Sequence, residues 1–293
     1  MKIFVEFGGV RFRFDSDCDI IVEESFAPFF RTFKNVTDVN IQLHHRFSDA
    51  PLPRSAMIGE DVLMEYYREG TSLLCMSKGG SGKYLASCLC SPDSRKLTCW
   101  LNFAPGTPVD SLGNILRMIP IRRILLHHGV LFLHASQVAI GDTGILFTAP
   151  SQTGKTTQAK LWNRHRGAEI ICNDRTLTDC NLTYGFPVDG SEPVISGERR
   201  KLGTVVVLRQ TPENTVRRLR FREALPLLMS QSVMDIWDRT AIAAASNRML
   251  DLLSNTPVYL LSCTPDERAV QCLEQQLLMD GVICNANDSE PHS

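Results

Sequence analysis

One segment restricts the fold of this chain more than any other. An apolar, aromatic run, Gly144-Ile145-Leu146-Phe147-Thr148, leads through Ala149-Pro150-Ser151-Gln152-Thr153-Gly154-Lys155-Thr156-Thr157 into a helix expected over 156–164. Strand, short loop and helix in that order place a lysine and a hydroxyl at the first turn of the helix. There the unpaired backbone N–H groups and the helix dipole both favour anions.

That arrangement is the setting in which the pattern G-x-x-x-x-G-K-[ST] wraps a polyphosphate. Read so, Ser151, Gln152, Thr153, Gly154, Lys155, Thr156 and Thr157 bind the phosphates. Lys155 meets the β/γ-phosphates and the Thr156 hydroxyl meets Mg²⁺, so ATP and Mg²⁺ are the expected cofactors. Two positions depart from the pattern: Ala149 stands at the first glycine, and Gln152 where related loops often carry glycine. The plain alternative is a helix start capped by Ser151 or Thr153, with no ligand. A second fragment, Gly80-Ser81-Gly82-Lys83, is followed by Tyr84, which offers no comparable metal ligand. A hairpin turn is expected there.

Further on, Ile170-Ile171-Cys172-Asn173-Asp174-Arg175 is an apolar run that ends in a carboxylate, a Walker-B arrangement. A strand parallel to the loop's own strand brings Asp174 to the phosphates. There it can hold Mg²⁺, directly or through water, or take a proton from an attacking hydroxyl. An Asn-Asp pair also starts turns.

The remaining pattern is mixed. Residues 3–14 alternate about Gly8-Gly9 and read as a hairpin, and strands are expected at 72–76, 84–90 and 97–103. The texture changes at Ala104-Pro105-Gly106-Thr107-Pro108, after which 112–127 reads as one helix and 130–140 as a strand. Past the loop come strands at 169–172, 203–208 and 258–262, and helices at 223–229, 241–253 and 266–278. The fold class is therefore α/β (α+β), with a β-rich domain over 1–107 and the loop-bearing domain over 108–284. The tail, 285–293, is polar and aperiodic and is expected to be disordered.

Charge and composition exclude several functions. The net charge is -1 and no long basic run occurs, so nucleic acid is not an expected partner. No apolar run is long enough to cross a bilayer, and Glu6 interrupts the apolar start, so neither a membrane nor a signal peptide is expected. A cytoplasmic protein follows as the expectation. The ten cysteines include no C-x-x-C pair and read as reduced thiols.

Taken together, Leu131-Phe132-Leu133-His134-Ala135-Ser136, the loop 150–157 and Asn173-Asp174-Arg175 resemble the HPr kinase/phosphorylase superfamily, whose P-loop domain is related to phosphoenolpyruvate carboxykinase. The pattern looks closest to HPr-kinase-like enzymes found with lasso and other ribosomally made peptides, which phosphorylate a serine hydroxyl. The resemblance runs from Leu131 to the last helix. It implies a carboxykinase-like P-loop kinase domain with a smaller β-rich N-terminal domain that binds substrate or partner, and a homo-oligomer, although no interface is legible.

The implied activity is ATP-dependent transfer of the γ-phosphoryl group to a hydroxyl, foremost a serine of a precursor peptide. The family's histidine falls on His134, its phosphate lysine on Lys155, its metal hydroxyl on Thr156, and its Asp-Asp-Arg on Asn173-Asp174-Arg175. The first acid is thus an amide here. Either Asp174 serves Mg²⁺ while His134 assists the hydroxyl, or Asp174 is itself the base, and Arg175 adds positive charge. The segment 184–191 is similar to a loop near the acceptor site. Other readings are a nucleotide-sensing or peptide-binding module without catalysis, and a kinase acting on a small hydroxyl-bearing metabolite such as free serine.

Overall fold

A computed structural model describes residues 1–32, 36–188 and 196–284. The tail expected to be disordered, and the end of the 184–191 segment from Asp189 on, lie outside the described residues. The chain divides into two compact units, Met1–Val130 with Met234–Ala244, and Leu131–Val233 with Ala245–Ser293.

The first unit is built on one eight-stranded sheet. Its strands are β1 (Lys2–Phe7), β2 (Val10–Ser16), β3 (Val39–His44), β4 (Met57–Glu60), β5 (Met64–Glu69), β6 (Ser72–Lys78), β7 (Tyr84–Cys90) and β8 (Lys96–Leu101), in the order β1-β2-β3-β8-β7-β6-β5-β4. The β1–β2 hairpin turns on Gly8 and Gly9, both with positive φ (59° and 78°), which only glycine adopts without strain. Period-two alternation buries Ile3, Val5, Phe7, Val10, Phe12 and Phe14. Gly80–Gly82 joins the antiparallel strands β6 and β7, as the hairpin expectation requires.

Two helices close this part, α1 (Leu112–Met118) and α2 (Ile121–His127). The single helix expected over 112–127 is broken because Ile119 is extended (ψ 156°) ahead of Pro120, whose ring disfavours a helical predecessor. The division of the chain falls at Val130 rather than at 107. The start of α1 is tied to the first unit, where Leu112 donates to the Ile21 carbonyl (2.8 Å) and Gly113 to the Glu23 carboxylate (3.2 Å).

The second unit contains β9 (Leu131–Ile140), β10 (Thr143–Thr148), α3 (Lys155–Arg166), β11 (Glu169–Cys172), β12 (Arg175–Thr178), β13 (Leu182–Gly185), β14 (Arg199–Gln210), β15 (Thr215–Arg218) and α4 (Phe221–Met229). Helix α5 (Arg239–Asn255) begins in the segment assigned to the first unit, and β16 (Val258–Cys263) and α6 (Glu267–Met279) complete the chain. Strands pair in a ring, β10 to β9, β9 to β12, β12 to β13, β13 to β14 and β14 back to β10. Beyond the ring, β16 runs parallel to β14 and carries β15 antiparallel.

Helix α3 shows why the sequence folds this way. Lys155, Gln158, Ala159 and Trp162 recur at helical spacing and are buried, while Arg164, His165 and Arg166 in the last turn oppose the dipole. Gly167 (φ 63°) ends the helix, and its N–H donates to the Asn163 carbonyl at 3.0 Å. Trp162 joins Phe147, Val206, Tyr259, Leu273 and Leu277 in one core cluster. This core anchors both the strand before the loop and the helix after it.

Candidate active site

Strands β10, β14 and β16 are mutually parallel neighbours, so their carboxyl ends at Thr148, Gln210 and Cys263 share one edge, where α/β sheets collect ligands. Strand β9 lies between β10 and β11 and is antiparallel to both, so β11 runs in the direction of β10. The end of β11 therefore arrives at the same edge as the loop. Ala135 of β9 marks the meeting point, since it is paired with Thr148 and its N–H donates to the Asp174 carbonyl at 3.1 Å. The parallel direction expected for the Walker-B strand is present, with one strand interposed.

In the loop, Gly154 has φ 104° and serves as N-cap of α3 without any side-chain hydrogen bond. The cap expected under the ligand-free alternative, from Ser151 or Thr153, is not made. Gln152 is left-handed with φ 63°, a conformation that costs a residue bearing a Cβ. Ala149 is 1% exposed and its methyl sits in the core cluster, which accounts for alanine at the first glycine position. The Lys155 ammonium donates to the carbonyls of Ala149 (2.9 Å) and Pro150 (3.3 Å). Burial lowers its pKa, and the Asp174 charge partly offsets this.

Opposite the loop, His134 Nε2 stands 3.0 Å from Asp174 Oδ1, and Arg175 Nε lies 3.7 Å from Asp174 Oδ2. The histidine bond holds the Asp174 carboxyl below the ordinary carboxylate range against the opposing effect of burial, with help from the charges of Arg175 and Lys155. Residues 173 and 174 form a kink between β11 and β12. Its main chain is fixed by the Ser136 hydroxyl, which donates to the Asn173 carbonyl at 2.6 Å. In a regular strand two successive side chains point to opposite faces; the kink lets Asn173 and Asp174 line the same cavity.

That cavity has a volume of about 820 Å³. It is lined by His134, Ser151, Gln152, Thr153, Gly154, Lys155, Thr156, Thr157, Asn173 and Asp174, so the residues singled out from sequence come together, except Arg175, which does not line it and stands 3.7 Å from the Asp174 carboxylate. Of the 184–191 segment, none of the described residues lines it. Sequence reasoning missed Gln158, Gln210, Thr211, Cys263, Thr264 and Pro265, which complete the wall. The last five end or follow β14 and β16, so the signal was available only once those strands were known to run parallel to β10.

Elsewhere among the described residues, Asp17, Cys18 and His45 form the single cluster with metal-ligand potential. Both ring nitrogens of His45 are already held, by Asp17 (2.8 Å) and Asp110 (3.1 Å), and the cluster reads as an ion-pair network. No helix among the described residues is long and apolar enough to cross a membrane.

No family model matches this sequence and no curated protein matches it. Among solved structures, the chain is similar to the HPr(Ser) kinase/phosphatase from Coxiella burnetii, at 13% identity and a TM-score of 0.32, over 51% of this chain and 98% of that one. A likeness this distant says nothing of activity.

Proposed function

We propose that the chain is an ATP-dependent kinase that transfers the γ-phosphoryl group to a hydroxyl, with a serine of a peptide as its foremost acceptor. The observation that carries this reading is the convergence of an uncapped helix start, Lys155 and the His134–Asp174 pair on one cavity.

The residues suit the groups they would hold. The N–H groups at the start of α3 lack a side-chain acceptor, which matches an anionic polyphosphate. Thr156 and Asp174 offer hard oxygen ligands suited to Mg²⁺, and a bound Mg²⁺ would neutralise charge on the phosphates. Lys155 exchanges two loop carbonyls for phosphate oxygens, a stronger, charge-assisted bond. Asp174, kept ionised by His134, takes the proton of the acceptor hydroxyl or ligates the metal while His134 assists. Arg175 adds positive charge behind Asp174.

The test is transfer from ATP, with Mg²⁺, to a panel of serine-bearing peptides, read by mass spectrometry. Lys155→Ala is expected to abolish phosphopeptide formation while leaving the fold intact. Undiminished transfer by that variant refutes the assignment. A second reading, a nucleotide sensor without catalysis, draws on Asn173, an amide that cannot accept a proton as a carboxylate does. Phosphopeptide formation by the wild type excludes it.

A further inference from the structure

The first unit carries a cavity of its own, of about 450 Å³ and lined only by residues of that unit. Strand β6 pairs with both β5 and β7, and its Leu73 lies opposite Arg68 on one side and Cys90 on the other. The β5–β6 and β7–β8 turns therefore end side by side at one end of the sheet. The start of α5 and Arg123 of α2 complete the wall. Small-molecule sites span roughly 300–1,000 Å³, so the space is sufficient for a ligand.

The wall carries three arginines, Arg68, Arg123 and Arg239, against a single carboxylate, Asp238. That carboxylate is already answered: Arg123 Nη1 donates to it at 2.6 Å, and the Thr240 N–H and hydroxyl donate at 2.8 and 2.7 Å. Arg123 also stands 3.6 Å from Asp235. The side chains of Arg68 and Arg239 have no hydrogen-bond or ion-pair partner among the described residues, and both residues are exposed, so a ligand can reach them.

Two unopposed single charges on one cavity fit a dianion. A phosphate ester carries about −1.5 to −2 charges at neutral pH, and its three terminal oxygens suit guanidinium forks. A carboxylate brings one charge and fills one fork. The rest of the wall includes Ile58, Leu73, Pro92 and Trp237, all of which keep some exposure. These apolar surfaces have no use for inorganic phosphate but suit the organic part of an ester.

We infer that this cavity binds an organic phosphate monoester, with Arg68 and Arg239 on the phosphate oxygens and Leu73 and Trp237 beside the organic part. The inference stands on the first unit alone and does not depend on the kinase reading. A free ester and the phosphoserine side chain of a peptide share this chemistry, and the experiment separates them.

The experiment uses the full-length protein as wild type, Arg68→Ala, Arg239→Ala and Lys155→Ala, titrated by calorimetry. The probes are phenyl phosphate, a phosphoserine peptide, its unphosphorylated counterpart, inorganic phosphate and benzoate. At least one of the two esters should bind the wild type about tenfold or more tighter than inorganic phosphate or benzoate does, and the unphosphorylated peptide should not bind. Whichever ester binds more tightly identifies the source. Each arginine variant should weaken that ester about tenfold, the loss expected of a charge-assisted hydrogen bond. Lys155→Ala should stay within about twofold of wild type.

Failure of both esters to bind overturns the inference. So does equal affinity in wild type and both arginine variants, or equal affinity for the ester and for inorganic phosphate or benzoate. Loss of the ester in Lys155→Ala overturns it as well, by assigning the phosphate to the loop at 150–157. Neither arginine side chain has a partner in the free protein, so both alanine variants should melt close to wild type. Arg68→Gln and Arg239→Gln, which keep length and remove charge, replace any alanine variant that unfolds, with the same tenfold loss expected.

Discussion

His134 and Asp174 are joined across the β9–β12 edge by an Nε2 to Oδ1 approach of 3.0 Å, and this bond is the largest influence on the Asp174 carboxyl. With it, the group is ionised through the neutral range. Without it, burial acts against the charged form with less opposition. His134→Ala should therefore move the acid limb of the pH profile of kcat/KM for phosphoryl transfer to higher pH and lower the plateau by about 10²-fold. An acid limb at the same pH in variant and wild type would show that the pair does not govern the reaction.

Asp174→Asn separates the two divisions of labour that the residues allow. If the carboxylate is the base, transfer falls by about 10²–10⁴-fold while Mg·ADP affinity holds. If it is a metal ligand, the Mg²⁺ dependence of ADP binding weakens together with transfer. Titration of Mg²⁺ at fixed ADP reads the difference, and a variant normal in both respects would exclude Asp174 from the site.

Gln152 holds a left-handed conformation (φ 63°) in the loop before α3 without a glycine's freedom. Gln152→Gly removes a strain of about 1 kcal/mol, partly offset by the greater freedom of glycine in the unfolded chain. The variant should be as stable as wild type or slightly more so, and should bind Mg·ADP through the same backbone donors. A marked loss of stability on chemical denaturation would mean that the glutamine side chain, not the backbone, holds the loop.

How far the sequence was legible depended on the range of the signal. The loop from Ala149 to Thr157 and the β1–β2 hairpin rest on local rules, a Gly-Lys-Thr before a helix and paired glycines between alternating strands, and both appear where those rules put them. Strands β3, β4, β5, β12, β13 and β15 were not expected. They are only four to six residues long, and β3 and β15 find their partners well along the chain, Val39–His44 lying parallel to both β2 and β8 and Thr215–Arg218 antiparallel to β16. The helix break at Ile119-Pro120 was available from the proline and was overridden by an apolar period. The far wall of the cavity, from Gln210 to Pro265, required the order of the parallel strands, which no local pattern encodes. Asn173 was visible as a departure from a motif, but its unpaired amide is a property of burial.

Gly59 of β4 lies under the indole of Trp237, so that a Cβ at this position would fall on the ring itself. Trp237 also packs against Tyr66, with centroids 4.7 Å apart, and lies 6.0 Å from the Arg123 guanidinium. The neighbouring carboxylates of Asp235 and Asp238 bind Arg122 (2.7 Å) and Arg123 (2.6 Å). Gly59→Ala should therefore displace the indole and destabilise the first unit by about 1–3 kcal/mol, with a change in tryptophan fluorescence. Wild-type emission and stability in that variant would show that the contact is not made in solution.

His45 supplies a pH dependence of opposite sign to that of a lone carboxylate. Its side chain is 3% exposed and is held by Asp17 at Nδ1 and by Asp110 at Nε2, while His44 and Cys18 also face Asp17. Burial pulls its pKa down, but the hydrogen bonds and charges of the two carboxylates outweigh this and leave it raised. A raised folded value means that the native state binds the proton more tightly than the unfolded chain does. The stabilisation is thus fully present below the unfolded value of about 6.5 and is lost as pH rises through the folded value. Above it, Asp110, which has no solvent exposure, loses the charge partner of its carboxylate and keeps the N–H of Gly106 at 2.9 Å. Denaturation of the first unit should show stability falling from pH 6 toward pH 9 by about 1 kcal/mol or more. His45→Gln should start lower and show a flatter profile, and equal slopes in the two proteins would remove His45 as the cause.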